Sequence, residues 1–180
     1  MLKNSSRSRI IVLDANIWIK GLFGISKEAR QIIKDCLNRK LRIVVNSYIV
    51  AEVVRVLKRI AMRSKLNPLK LERNFWIIIN SESVIKDFIT PVSEDLIEFL
   101  KNKDEILLIS KIFNLEPKDV PYIVLAFKFK APIITEDKRS IYIKRREIEE
   151  RIGIRILTLK EFKAYNKKMR PCLKSVSWPS

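Results

Sequence analysis

Short apolar runs alternate with longer amphipathic segments along the 180 residues of the chain. Each run is rich in branched residues and is bounded by polar ones, which is typical of buried strands in a parallel sheet. The runs are IIVL at 10–13, LRIVV at 41–45, APIIT at 131–135 and IRILTL at 154–159. Parallel strands need crossover connections, and the intervening segments are long enough to be helices. The pattern therefore predicts an α/β fold with a central, mostly parallel sheet covered by helices.

The segments between the strands carry helix spacing and capping residues. Ser26 is predicted to cap an amphipathic helix, and Ser47 a longer one whose apolar residues recur at helical intervals. A helix over 118–130 would hold Pro121 in its first turn, where proline is tolerated. Further helices are predicted to start at Asn67-Pro68, Ser93, Asp104 and Asp137, and to cover 160–168. Residues 64–114 are expected to form an added helical segment, with a short strand in 87–92.

The length and composition predict one folded domain. A content of 47% hydrophobic residues suffices for a single core, so residues 1–168 are expected to form one domain. Residues 169–180 are expected to form a basic, flexible tail. No apolar run reaches the ~18 residues that cross a bilayer, so no membrane association is expected. Cys36 and Cys172 are far apart, which indicates no disulfide framework and favours a reducing cytoplasm.

Charge and the absence of histidine narrow the function. The net charge is +17 and the isoelectric point is about 10.1, which suits binding to nucleic acid or another polyanion. The chain has no histidine. Ser-His-Asp and Cys-His catalysis, histidine acid–base chemistry and histidine-containing zinc sites are thereby excluded. Carboxylates, lysines or a bound metal would have to carry any catalysis.

Four acidic residues stand out by their positions. Asp14 and Asp137 each follow a short apolar strand, Glu52 lies in an apolar stretch of a predicted helix, and Asp119 opens another helix. Each has a local explanation. Asp14 and Asp137 could cap helices, Asp119 could complement a helix dipole, and Glu52 could face solvent. Together, however, they could converge on the carboxyl edge of one sheet, where open α/β folds bind ligands.

Clustered carboxylates repel one another unless a cation neutralises them. Oxygen ligands without histidine or cysteine favour Mg²⁺ or Mn²⁺. A divalent metal within a strongly basic protein indicates phosphodiester hydrolysis, because the metal activates water while basic surfaces hold the phosphate backbone. The four acids are therefore predicted to form a metal site that cleaves a nucleic acid.

Four segments, in this order, resemble the PIN-domain (PilT N-terminus-like) nucleases, including the VapC-type toxin ribonucleases. They are LDANIWI, AEVVRVLKR, KDVPYIVLAFKFKAPIITEDK and ILTLKEF, which span residues 10–162. The resemblance implies a three-layer α/β/α sandwich and cleavage of single-stranded RNA with Mg²⁺ or Mn²⁺. It also implies metal ligation by Asp14, Asp119 and Asp137, and ligation or water orientation by Glu52. Asn16 and Thr135 would orient these ligands or a phosphate.

Two features depart from the family pattern. The segment between the second and third acids is longer than in compact toxin-type members, which is why residues 64–114 are expected to form an addition. Glu136 places an extra acid next to Asp137. It could join the metal site, but a solvent-facing side chain is the favoured interpretation.

The basic residues are concentrated towards the C-terminus. From Lys138 to the end there are 13 Lys and Arg against 4 Asp and Glu. A solvated helix face would explain part of this charge, and RNA contact is the alternative. The residues predicted to contact RNA are Lys138, Arg139, Lys160, Lys163, Lys167 and Lys168.

The sequence thus predicts a cytoplasmic, metal-dependent endoribonuclease, either a toxin or an RNA-processing enzyme. The alternative is a catalytically weak or silent RNA-binding protein with the same fold, within an RNA–protein assembly. The expected partners are an RNA substrate, an antitoxin protein and a second copy of the chain.

Overall fold

The structure of the protein is a computed structural model that describes residues 9–65, 67–93 and 95–168, without the side chains of Lys101 and Lys168. The predicted tail at 169–180 lies outside the described residues. No helix in the described part of the chain is both long and apolar enough to cross a membrane.

The centre of the fold is a five-stranded sheet with the order β3-β2-β1-β4-β5. Its strands are β1 (Arg9–Leu13), β2 (Leu41–Asn46), β3 (Val84–Asp87), β4 (Ile133–Ile134) and β5 (Ile156–Leu157). All four strand pairings are parallel. Ile11, Val12 and Leu13 of the central strand are almost completely buried, as expected when helices cover both faces of a sheet. The predicted α/β fold is confirmed.

Helices fill the connections between the strands. They are α1 (Ala15–Leu22), α2 (Lys27–Leu37), α3 (Ser47–Ser64), α4 (Pro68–Ile79), α5 (Asp95–Lys101), α6 (Asp104–Phe113), α7 (Val120–Phe129), α8 (Arg145–Ile152) and α9 (Leu159–Lys168). The chain moves along the sheet from β1 to β3 and then returns through β4 to β5. Because crossovers are right-handed, this reversal places the two sets of helices on opposite faces.

Residues 64–114, between Glu52 and Asp119, contain a strand as well as helices. Residues 84–87 form edge strand β3, which pairs with β2, so the short strand expected within 64–114 exists but lies earlier than predicted. The predicted position of this strand, 87–92, was wrong. Pro91 in that stretch lacks the N–H that a ladder needs, whereas VIKD at 84–87 pairs residue for residue with β2.

Two other predicted boundaries were also wrong. Asn46, not Ser47, caps α3: its side chain accepts the Ile49 N–H at 2.9 Å. The chain is extended at Asn46 and already helical at Ser47, and asparagine is as good a cap as serine. The helix predicted from Asp137 begins only at Arg145, after a 3₁₀ turn at Ile141–Lys144.

Candidate active site

Asp14 lies where the two central strands end. Its backbone N–H donates to the Ile134 carbonyl at 3.0 Å, which ties the end of β1 to the end of β4. Asp14 is also the N-cap of α1 and accepts the Asn16 N–H at 3.5 Å. Asp14 therefore caps α1 and also lies at the carboxyl edge of the sheet.

Two polar side chains fix the carboxylate of Asp14. Its Oδ2 accepts hydrogen bonds from the Thr135 hydroxyl at 2.5 Å and from the Asn16 amide at 2.6 Å. Thr135 is completely buried, and its hydroxyl oxygen also accepts the Asp137 N–H at 3.0 Å. Asn16 and Thr135 thus both hydrogen bond to Asp14, at the carboxyl ends of β1 and β4.

Glu52 is half-buried on α3 and does not simply face solvent. Its Oε2 accepts a hydrogen bond from the Tyr122 hydroxyl at 2.5 Å. The same hydroxyl oxygen accepts the Ala15 N–H at 3.3 Å, so it links α3, α7 and the start of α1. The solvent-facing alternative for Glu52 is therefore excluded.

Asp119 ends a 3₁₀ turn at Pro117–Asp119 and comes directly before α7. Its side chain makes no capping hydrogen bond and the residue is only 7% exposed. The Ser140 hydroxyl donates to its Oδ2. Asp119 is therefore a buried acid without a capping hydrogen bond, although its position next to α7 still allows an interaction with the helix dipole.

Asp137 stands at the rim of the site, two residues after Thr135. Its Oδ1 accepts the Arg139 N–H at 2.9 Å, and the Arg139 guanidinium lies 4.0 Å away. This bond closes a turn that precedes the 3₁₀ segment, so Asp137 does not cap a helix.

The four acids line one cavity of about 430 Å³ at the carboxyl edge of β1 and β4. The other polar residues that line it are Asn16, Lys20, Lys118, Tyr122, Thr135 and Ser140. Residues distant in sequence are thus brought together at this edge of the sheet.

Burial dominates the electrostatics of this acidic cavity. It raises the pKa of Asp119 to about 6, although the Ser140 hydroxyl and Lys118 oppose the rise. Burial also raises the pKa of Asp14, against the hydrogen bonds from Thr135 and Asn16. The pKa of Glu52 is raised by burial and then by the charge of Asp14, while the Tyr122 hydroxyl opposes it. Asp14, Glu52 and Asp119 are thus held in an environment that disfavours their negative charge.

The donor chemistry of the cavity fits a hard divalent cation, since its acidic ligands are all oxygen. Among the described residues, however, no three acidic or cysteine side chains are placed to hold a metal ion as they stand. Glu52 and Asp119 instead accept hydrogen bonds from the hydroxyls of Tyr122 and Ser140, respectively. Each hydroxyl occupies one carboxylate oxygen, so the other oxygen of Glu52 and of Asp119 could still bind a cation.

Tyr122, Ser140 and Lys118 were not predicted from the sequence. Tyr122 follows Asp119 by one helical turn, a spacing that could have indicated a shared face. Ser140 lies in an irregular segment between Asp137 and the 3₁₀ turn, so no periodicity places it. Lys118 precedes an acid in a basic chain, which is too common a pattern to be informative.

Glu136 neither joins the acidic cavity nor faces open solvent, so the favoured interpretation was wrong. It is half-buried, and its Oε1 accepts the Leu159 N–H, the first amide of α9, at 2.8 Å. A carboxylate at a helix N-terminus satisfies a free backbone donor and complements the helix dipole. Glu136 therefore has a structural explanation.

The predicted RNA-contacting residues divide into groups. Lys138 and Arg139 are exposed next to Asp137. Lys160 and Lys163 line a second cavity of about 430 Å³ that shares Lys20 with the acidic cavity. Lys167 is exposed on α9, and the side chain of Lys168 lies outside the described residues. Basic residues thus border the acids on the side of α9.

Comparisons with known proteins agree with this architecture. No curated protein sequence matches the chain significantly. Among solved structures, the chain is similar to a chain of VapBC2 from Rickettsia felis bound to a DNA fragment from its promoter. The TM-score is 0.51 at 14% identity, over 83% of this chain and 98% of that chain, which is a likeness of fold. The family described as PIN domain matches residues 12–152, a range that contains all four acids. The chain therefore belongs to the PIN domain family.

Proposed function

We propose that the protein is a divalent-metal-dependent endoribonuclease that hydrolyses phosphodiester bonds of single-stranded RNA. PIN domains are generally nucleases. The observation that carries the proposal is the convergence of Asp14, Glu52, Asp119 and Asp137 on one cavity at the carboxyl edge of the sheet. The positive charge of the chain, +17, suits a polyanionic substrate.

In this proposal the four acids bind Mg²⁺ or Mn²⁺. When bound, the ion would lower the pKa of a coordinated water and neutralise charge on the reacting phosphate. Asn16 and Thr135 hold the Asp14 carboxylate in one orientation, so its reorganisation on binding is small. Lys118 borders the same cavity and would attract the phosphate backbone.

The hydroxyls of Tyr122 and Ser140 would favour the ionisation of Glu52 and Asp119. Each donates a hydrogen bond to one carboxylate, which favours the ionised form of that acid against the effect of burial. We therefore assign both residues a positioning role: they keep Glu52 and Asp119 ionised and ready to accept a cation.

Lys160 and Lys163 on α9 would contact the substrate backbone beyond the acidic cavity. Replacing both with alanine should weaken binding of a single-stranded oligonucleotide. Each lost phosphate contact should reduce the log–log dependence of affinity on salt by about 0.7. An unchanged salt dependence would show that these lysines are solvated surface residues.

An antitoxin is the proposed protein partner. The support is the likeness of fold to a VapBC2 chain and the sequence resemblance to VapC-type toxins. A small protein encoded next to this one would be the first candidate. Co-expression and purification through a tag on that protein would test for a stable complex, and light scattering of the purified chain would test for the homodimer.

The alternative function is RNA binding with little or no catalysis. It predicts the same affinity for RNA but no cleavage. Incubating end-labelled single-stranded RNA with purified protein, in Mn²⁺ or in EDTA, separates the two. We expect internal fragments in Mn²⁺, intact RNA in EDTA, and intact RNA with Asp14→Asn in either buffer. Intact RNA with the wild-type protein in Mn²⁺ and Mg²⁺ would favour the binding protein.

A further inference from the structure

Helix α3 carries a basic surface next to the acidic cavity. Arg55, Lys58 and Arg59 line a separate cavity of about 370 Å³, together with Met62. All the charged residues that line it are cations. We call these three cations the α3 basic surface.

The α3 basic surface continues the face of α3 that bears Glu52. Arg55 and Arg59 follow Glu52 by three and seven residues, which places them on the same side of the helix. Val56, between them, lines the acidic cavity itself. Arg59 lies about 10 Å from Glu52 along the helix axis, given the rise per residue of an α-helix. A chain that leaves the acidic cavity along α3 would therefore meet the two arginines in turn.

The arginines of this surface have donors to spare. The Nε of Arg55 is buried and has no hydrogen-bond acceptor among the described residues. Its Nη1 lies 3.9 Å from the exposed Glu98 carboxylate, a long and screened contact. Arg59 makes no ion pair in the part of the chain that the structure describes. By contrast, Arg39 pairs with Glu82 at 2.7 Å. The Arg55 side chain is 37% exposed overall, so a phosphate could pair with its terminal Nη groups while Nε stays buried.

The α3 basic surface and the α9 lysines lie on different sides of the acids. Helix α3 begins where β2 ends, and α9 begins after β5. Strands β2 and β5 are on opposite sides of β1 in the sheet, and Asp14 stands at the end of β1. An RNA strand bound across the acidic cavity could thus contact cations on both sides of the bond to be cleaved.

We propose that the α3 basic surface binds backbone phosphates of an RNA strand on one side of the bond cleaved in the acidic cavity. The inference rests on the proposed function and assigns a substrate-binding site to it. Guanidinium groups suit this role because their forked N–H groups pair with phosphate oxygens in two bonds. A strand held on both sides is cleaved internally, so the arrangement favours an endonuclease.

The test measures RNA binding apart from cleavage. Fluorescence anisotropy in EDTA would compare the wild type, Arg59→Ala, Arg59→Lys and Arg55→Gln on a labelled dodecanucleotide and on a dinucleotide. Arg73→Ala, which removes an exposed arginine of α4, is the matched control for charge. Each variant is checked for folding by circular dichroism.

We expect Arg59→Ala to bind the dodecanucleotide more weakly and to lower the log–log salt slope by about 0.7, the value for one phosphate contact on a single strand. Over a fourfold rise in salt, the difference from wild type should then shrink by about 2.6-fold. Arg59→Lys should keep the wild-type slope because it keeps the charge. Arg55→Gln should behave like Arg59→Ala, and Arg73→Ala like the wild type. None of the substitutions should affect the dinucleotide, which is too short to leave the acidic cavity.

A wild-type slope in Arg59→Ala, or an equal change in Arg73→Ala, would overturn the proposal. Wild-type RNA affinity together with lost binding of poly-L-glutamate would assign the surface to an acidic protein instead. Failure of the proposed function would look different. The wild type would then leave RNA intact in Mn²⁺, while the binding differences among the arginine variants would still decide the role of α3.

Discussion

Replacing Asp119 with asparagine should change how the stability of the metal-free protein depends on pH. Burial raises the pKa of Asp119 in the folded state from 3.8 to about 6. This rise corresponds to about 3 kcal/mol of folding free energy between the two protonation states. Because the folded pKa is higher, the contribution to stability is fully present below about pH 4. It is lost as the pH rises through about 6.

The asparagine side chain of the Asp119→Asn variant would carry no charge at any pH, and its amide oxygen could still accept the Ser140 hydroxyl proton. In EDTA, the stability of Asp119→Asn relative to wild type should therefore increase by about 2 kcal/mol between pH 4 and pH 7, because the unfolded-state carboxyl is already partly ionised at pH 4. For a chain of this size, 1 kcal/mol shifts the melting temperature by about 2–4 °C. The variant should thus gain about 4–8 °C relative to wild type over this range.

Thermal melts followed by circular dichroism at several pH values would measure the effect. Asp104→Asn makes the same chemical change at an exposed position on α6 and controls for the substitution itself. Mn²⁺ should raise the melting temperature of the wild type. At a hundredfold excess over its dissociation constant it should increase the free energy of unfolding by about 2.7 kcal/mol, and it should affect Asp119→Asn little. If the melting temperatures of wild type and Asp119→Asn changed equally from pH 4 to pH 7, the claim that burial raises the pKa of Asp119 would be refuted. A lower melting temperature for the variant at pH 7 would instead indicate a helix-dipole role.

Three further substitutions test the supports of the cavity. Tyr122→Phe removes a hydrogen bond that favours ionised Glu52, so the pKa of Glu52 should rise. The acidic limb of the pH–rate profile for Mn²⁺-dependent cleavage should then move to higher pH, and an unchanged limb would contradict this role. Thr135→Val keeps the shape but removes the hydroxyl that holds Asp14, so it should destabilise the fold by about 1–3 kcal/mol in chemical denaturation and reduce cleavage. Glu136→Ala should destabilise by about 0.5–1.5 kcal/mol, because it removes the acceptor of the Leu159 N–H while the Thr158–Glu161 capping box of α9 remains. Cleavage should be retained in single-turnover assays, and Glu136→Gln should restore stability. Abolished cleavage in a stable Glu136→Gln protein would place this acid in the active site.

The central strands and the four acids could be predicted because their signals are local. Asp14 and Asp137 directly follow apolar runs, and strand ends in a parallel sheet share one edge. Glu52 was detected because a carboxylate interrupts an apolar stretch of helix. In these cases a few neighbouring residues determine the position of the side chain.

The contacts of Tyr122 and Glu136 could not be predicted because they join distant parts of the chain. The Tyr122 hydroxyl meets Glu52 across 70 residues, and the Glu136 carboxylate meets the first amide of α9 across 23. The shift of the cap from Ser47 to Asn46 had another cause. Both residues are good caps, and only the end of β2 decides between them.

The position of a bound Mn²⁺ ion tests the central claim most directly. Crystals grown with Mn²⁺ would be measured at a wavelength where manganese scatters anomalously. We predict an anomalous peak inside the acidic cavity, with oxygen ligands from Asp14 and from at least two of Glu52, Asp119 and Asp137. The peak should disappear in Asp14→Asn crystals grown under the same conditions. An empty cavity at saturating Mn²⁺, or an ion bound only at other surface acids, would contradict the account.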